Sequence, residues 1–220
     1  MKLRTLFTLA ILAMGSSGCA AYVQGKSHLS NPPLDTPSRA EVLDPGVAPI
    51  EAAADPVAVT TENVHGYEIR DIRFVWPGDL KVAEGNGFYP FADVVWRGDP
   101  LGDRRAQIAD IFTTAFRAAG EGVEGTTPVI VEITLRRFHS VTDRTRYTVG
   151  GMHSIMFELA VRDAETGALL EEPRFVDASF PALGGAAAVA AEARGEGQKV
   201  RVLAHLTNVA RHELGLPGAF

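Results

Sequence analysis

One cysteine, Cys19, is all that the 220 residues contain. A single chain with one thiol cannot form an internal disulfide, a CxxC redox pair or a thiolate-rich zinc site. Long apolar runs are scarce as well. The stretch Leu6 to Met14, broken only by Thr8, falls short of the roughly 20 residues that a membrane span needs, and no later segment reaches that length. Basic residues are outnumbered, 21 Lys+Arg against 27 Asp+Glu. The dense basic stretches, Arg104-Arg105 and Arg136 to Arg146, are short and flanked by acids, which argues against nucleic acid as a partner. The motifs H-E-x-x-H, G-x-S-x-G and G-x-x-x-x-G-K-[ST] are missing, and no repeat with a period of about 20 to 50 residues is visible. With 46% hydrophobic and 22% charged residues the chain still has the balance of a globular protein, so its core must hold without covalent staples.

What is present begins with a leader. Lys2 and Arg4 precede the apolar stretch, and the small residues Gly15-Ser16-Ser17-Gly18 follow it, the three-part layout of a secretory signal. The run Ser16-Ser17-Gly18-Cys19 resembles the lipobox of bacterial lipoproteins, although Ser16 stands where an apolar residue is usual. The resemblance implies a signal peptide over residues 1–18 and a mature chain starting at an acylated Cys19 held in the lipid bilayer, since two or more acyl chains anchor stably. The alternative cut, after Ala20, discards Cys19. Ala20 also lacks the Asp that commonly retains such lipoproteins at the inner membrane, which implies a periplasm-facing place at the outer membrane.

Residues 19–64 form a linker in this reading. Six of the thirteen prolines lie here, at Pro32, Pro33, Pro37, Pro45, Pro49 and Pro56, with no sustained apolar period. As a flexible coil such a leash reaches about 35 to 40 Å. Residues 65–220 then read as a domain. Tyr67 to Trp76 is an expected strand ended by Pro77-Gly78, with short strands at Leu80–Val82 and Asp93–Trp96. Asp99-Pro100 reads as the start of a helix that buries Ile108, Ile111, Phe112, Ala115 and Ala119 and stops at Gly120. Val129, Val131, Ile133 and Leu135, and then Ile155, Phe157, Leu159 and Val161, alternate with a mostly polar set, Ile130 and Met156 apart, and predict two strands paired antiparallel through the loop Thr142–Gly151. A third strand, about Leu169 to Phe180, carries Pro173, which should interrupt it or place it on an edge. After a Gly/Ala-rich loop from Leu183 to Gly197, a helix over about Gln198–Leu214 buries Val202, Leu203, Leu206, Val209 and Ala210. The expected fold is α+β: a single two-layer domain, an antiparallel sheet of about four to five strands with two helices on one face.

No catalytic, cofactor or metal residue is assigned. In a simple hairpin centred near Arg146, His139-Ser140 and His153-Ser154 would bring the two histidines face to face, but two ligands do not complete a zinc site and hairpin histidines commonly sit at a polar margin. Gly195-Glu196-Gly197-Gln198-Lys199 has a phosphate-loop flavour, yet Val200 stands where a Ser or Thr would bind magnesium, and it reads as the start of a helix. Glu84, Asp93, Asp99 and Asp103 read as caps and loop residues. The richest stretch in aromatics and arginine contains Phe88, Tyr89, Phe91, Trp96, Arg97, Arg104 and Arg105, a candidate partner patch because such residues dominate binding hot spots. Core packing of the aromatics is the other account.

Several blocks together carry a further resemblance: Asp93-Val-Val-Trp-Arg-Gly-Asp-Pro-Leu-Gly-Asp103, Arg137-Phe-His-Ser140, Tyr147-Thr-Val-Gly-Gly-Met-His-Ser154, Val161 to Gly167 and Ala190 to Gly195. With the leader and the Pro-rich segment, they resemble an uncharacterised family of Gram-negative bacterial lipoproteins of unknown function. That implies location and fold and transfers no catalytic residue. The expectation is a non-enzymatic, membrane-anchored periplasmic lipoprotein that binds an envelope protein or serves as an accessory component. The alternative is a periplasmic envelope hydrolase whose site assembles from distant residues.

Overall fold

The computed structural model describes residues 62–218; the leader, Cys19 and nearly all of the Pro-rich segment lie outside the described residues. The first strand, β1 (Tyr67–Val75), is followed by a two-residue strand β2 (Val94–Val95), helix α1 (Arg104–Gly120) and the long strand β3 (Thr127–His139). A four-residue turn of helix, α2 (Asp143–Arg146), leads into β4 (Gly151–Asp163), β5 (Leu169–Asp177) and β6 (Phe180–Ala182). Two helices close the chain, α3 (Gly185–Ala193) and α4 (Gln198–Glu213).

The α+β class holds, among the described residues as an open sheet of six strands with four helices in place of the expected four to five strands and two helices, and three details of the expectation are corrected. First, the sheet is mixed. Its main path runs β1-β3-β4-β5, with β3 antiparallel to β4 and β4 to β5, but β1 and β2 both run parallel to β3. The reason lies in the connection: α1 separates β1 from β3, and a strand–helix–strand crossover returns the chain in the same direction. Second, the helices number four. The expected loop from Leu183 contains α3, whose Ala-rich run has the strongest intrinsic helix propensity and buries Ala188 and Ala191. Third, α1 starts at Arg104 rather than at Pro100. Asp103 is its N-cap, accepting from the Ala106 N–H at 3.1 Å. Replacing it as Asp103→Ala should lower stability by about 1 kcal/mol in urea unfolding; no change would mean the cap is redundant.

Alternation sets the two layers. Val129, Val131, Ile133 and Leu135 of β3 and Ile155, Phe157, Leu159 and Val161 of β4 are buried on one face, against Ile108, Ile111, Phe112, Phe116 and Ala119 of α1 and Val202, Leu206 and Ala210 of α4. The opposite face is laced by the cross-strand ion pairs Arg136–Glu158 at 2.7 Å and Arg162–Glu132 at 3.3 Å. Pro173 sits in β5, an edge strand, where its missing N–H breaks no ladder bond. Helix α4 ends in a Schellman arrangement: Gly215, at φ +60°, turns the chain so that the Leu216 N–H reaches the Arg211 carbonyl at 2.9 Å.

One irregularity positions everything that follows. Between Leu135 and Arg137 the pairing with β4 slips by one residue, so that Leu135 faces Phe157 but His139 faces Ser154. Without this bulge, the earlier register would have put His139 opposite His153. With it, the two side chains go to opposite faces of the sheet.

Candidate functional site

The expected meeting of His139 and His153 therefore does not occur. His153 points inward beside Ser140: the Ser140 Oγ lies 2.7 Å from His153 Nδ1 and accepts from Gln198 Nε2, also at 2.7 Å. Since the amide donates to the hydroxyl, the hydroxyl proton is left for Nδ1 and the ring keeps its own proton on Nε2, a tautomer assigned from this network. All three residues are buried. Burial, then the nearby Arg201, His205 and Arg146, lowers the His153 pKa to about 4, so the ring is neutral at neutral pH. Its face packs on Phe180, which is stacked in turn against His205, with ring centroids 4.6 and 4.1 Å apart. A serine beside a neutral imidazole has the ingredients of a nucleophile and its base. The surrounding void, bounded by Arg146, His153, Gln198 and Arg201, measures about 10 Å³, room for one water and for no substrate.

The second assembly is at the surface, where the bulged end of β3 meets the loop from Val82 to Asp93. Two short lengths of the expected strands survive here, a single bridge at Val82–Val94 and the pair Val94–Val95 beside Phe138–His139. The loop is held down from beneath by polar side chains. Thr142 Oγ1 donates to the Gly87 carbonyl at 2.9 Å and accepts from the Thr145 N–H, Thr145 Oγ1 reaches the Phe88 carbonyl, and Asn86 Oδ1 accepts from the Arg144 N–H at 3.0 Å. His139 Nδ1 lies 2.9 Å from the Ala92 carbonyl and 3.0 Å from the Arg137 guanidinium.

This anchoring separates the predicted patch into two groups. Tyr89 and Phe91 are 86% and 101% exposed, Phe88 is partly exposed under the Arg144 guanidinium at 4.6 Å, and Arg97 and Arg105 remain accessible. Trp96 and Arg104 are buried and belong to the framework instead. The Trp96 indole packs edge-on against Phe138 and donates to Asp99 at 2.8 Å, while Asp99 also takes Lys199 Nζ at 2.9 Å, tying the loop to α4. Arg104 is clamped by both oxygens of Glu84 and holds that carboxyl below its usual range. Of the other acids, Asp93 accepts from the Lys81 N–H and Asp103 caps α1, so the reading of these carboxylates as loop and cap residues matches the geometry.

The patch read from the sequence left out Met152, 51% exposed, which completes the apolar surface from the β4 side. Between the two sides runs a groove of about 160 Å³, lined by Phe88, Tyr89, Pro90, Val141 and Met152 with the Thr142 and Thr145 hydroxyls at its floor. Only a strand pairing could have revealed it, because Phe88 and Met152 are 64 residues apart. Gly195–Lys199 behaves as a helix start: Gly197 is the N-cap of α4 without a side-chain bond, and Lys199 is engaged by the Asp99 carboxylate. Among the described residues no group of three or more His, Cys, Asp or Glu side chains is placed to hold a metal ion.

Comparison with known proteins gives a family, and distant likenesses to solved structures of which two are described. A family model described as "Family of unknown function (DUF6778)" matches residues 67–220. No curated protein matches. The chain is similar at 15% identity to a crystal structure of a Xanthomonas campestris protein of the family DUF330, over 73% of this chain and 90% of that one, with a TM-score of 0.40. It is similar at 16% identity to a candidate lipoprotein of Caulobacter crescentus CB15, over 65% of this chain and 86% of that one, with a TM-score of 0.31. Neither likeness is close enough to carry a function across.

Proposed function

The chain belongs to DUF6778, a family of unknown function, and on that footing we propose that it is a membrane-anchored lipoprotein of the cell envelope, tethered through Cys19, that works by binding a protein partner rather than by catalysis. The observation that carries the binding reading is the pair Tyr89 and Phe91, almost wholly exposed on a loop that buried threonines hold in place. Large aromatic side chains exposed on an ordered, pinned loop are what interfaces use, because little conformational freedom remains to be lost on contact.

The hydrolase alternative draws less support. The two histidines that a simple hairpin would bring together go to opposite faces at the β3 bulge, and the Ser140–His153 pair has no space beside it for a substrate. The anchor rests on the lipobox-like leader, and the outer-membrane, periplasm-facing placement rests on Ala20 after the cysteine.

Cells expressing the full chain and fed labelled palmitate should yield a labelled, membrane-bound protein, and Cys19→Ser should abolish the label and release the domain into the soluble fraction. Label retained by the Cys19→Ser variant would remove the anchor. Unlabelled wild type with an N-terminus at Ala21 would replace it with ordinary secretion.

A further inference from the structure

The groove beside Tyr89 carries more information than exposure alone. Its walls are apolar, but its rim is cationic. Arg144 lies over Phe88, and Lys81 and Arg137 line an adjoining cleft of about 300 Å³ with Pro90, Phe91 and Asp93. Among the described residues, none of Lys81, Arg137 and Arg144 lies within 4.0 Å of a carboxylate oxygen. Asp93, which accepts from the Lys81 backbone N–H, is the one acid of that cleft and stands there against two cations. A chain with a formal net charge of −6 thus presents unpaired cations next to its most exposed aromatics.

We propose that this groove receives an acidic, apolar segment of a protein partner, with one aliphatic side chain seated between Phe88 and Met152 and carboxylates beside Lys81, Arg137 and Arg144. The inference rests on the protein-binding reading above and specifies the partner's chemistry. Apolar walls reward the burial of a methyl-rich side chain, and unpaired cations select the sign of the flanking charge and speed the encounter. A volume of about 160 Å³ suits a single large side chain, and its fixed concavity matches a shaped peptide better than a flat lipid surface.

Site-specific photocrosslinking in cells tests the inference. The full chain is produced with a benzophenone amino acid at Phe91, or at Phe175 as a comparison on the exposed face of β5, where the native side chain is 61% exposed. The expected result is a protein adduct at position 91 whose crosslinked peptide is rich in Leu, Ile or Val together with Asp or Glu. Its yield should fall about tenfold in Arg137→Glu/Arg144→Glu, with the melting temperature unchanged, and recover when the partner's acids are changed to Lys. A lipid adduct at position 91, a basic partner segment, or an unchanged yield after charge reversal would overturn it. Protein adducts at Phe175 without any at position 91 would also overturn it while leaving the binding reading intact; no protein adduct at either position would remove both.

Discussion

Between pH 7 and pH 4 the protein should lose on the order of 3 kcal/mol of stability more than its His153→Gln variant does, as followed by urea unfolding across that range. The folded-state pKa of His153 is about 4 against an ordinary value of 6.5, held down first by burial and then by Arg201, His205 and Arg146. A histidine with a depressed pKa binds its proton in the unfolded chain before it does so in the folded one. Its stabilising contribution is therefore complete above pH 6.5 and declines as pH falls toward 4. Glutamine keeps a group able to bond Ser140 without titrating in this window. The subtraction is needed because other groups also respond to acid. His205 is lowered in the same direction by burial, and Glu84, held down by its hydrogen bonds from Arg104, loses its contribution only below its ordinary value of 4.5. Superimposable pH curves for the two proteins would show that His153 takes up its proton in the folded protein at the ordinary value, as it would if water reached it freely.

His153 also shows where reading the chain alone stops. Each strand and helix that meets the core was visible in its own pattern: the in-facing residues of β3 and β4, the α1 stripe from Ile108 to Ala119, and the α4 stripe from Val202 to Ala210 are local periodicities, set by geometry of 2.0 and 3.6 residues. The relation between the two histidines depends instead on one inserted residue near Arg136, and a bulge leaves no period to detect when the strand on either side still alternates. The parallel pairing of β1 with β3 did leave a signal, the order strand, helix, strand, which favours a crossover over a hairpin. Helix α3 was hidden by its flanking glycines, Gly184 and Gly185, which mark a loop even though the alanines after them favour a helix. The candidate patch was legible in composition and illegible in exposure: Phe91 and Trp96 look alike in sequence, and only the Asp99 and Phe138 contacts of Trp96 take it into the core.

That distinction between two kinds of aromatic gives the largest expected mutational effect. Phe112→Ala should lower stability by about 3 to 5 kcal/mol, the range for removing a fully buried aromatic side chain. Phe112 is where four elements converge. Its ring centroid lies 5.3 Å from Phe74 of β1, 6.3 Å from Phe116 of α1, 6.1 Å from Phe138 of β3 and 5.2 Å from Phe157 of β4. A cavity there cannot be closed by one neighbour moving, because each neighbour belongs to a different element of a packed layer. Phe91→Ala, by contrast, removes a ring that touches solvent on all sides and should shift stability by no more than about 0.5 kcal/mol. Chemical unfolding of both variants separates the two roles. If Phe91→Ala were as damaging as Phe112→Ala, the exposed ring would be part of the fold, and the surface offered to a partner would lose its most prominent member. If it is silent in stability, any loss of crosslinking from that position can be assigned to the interface itself.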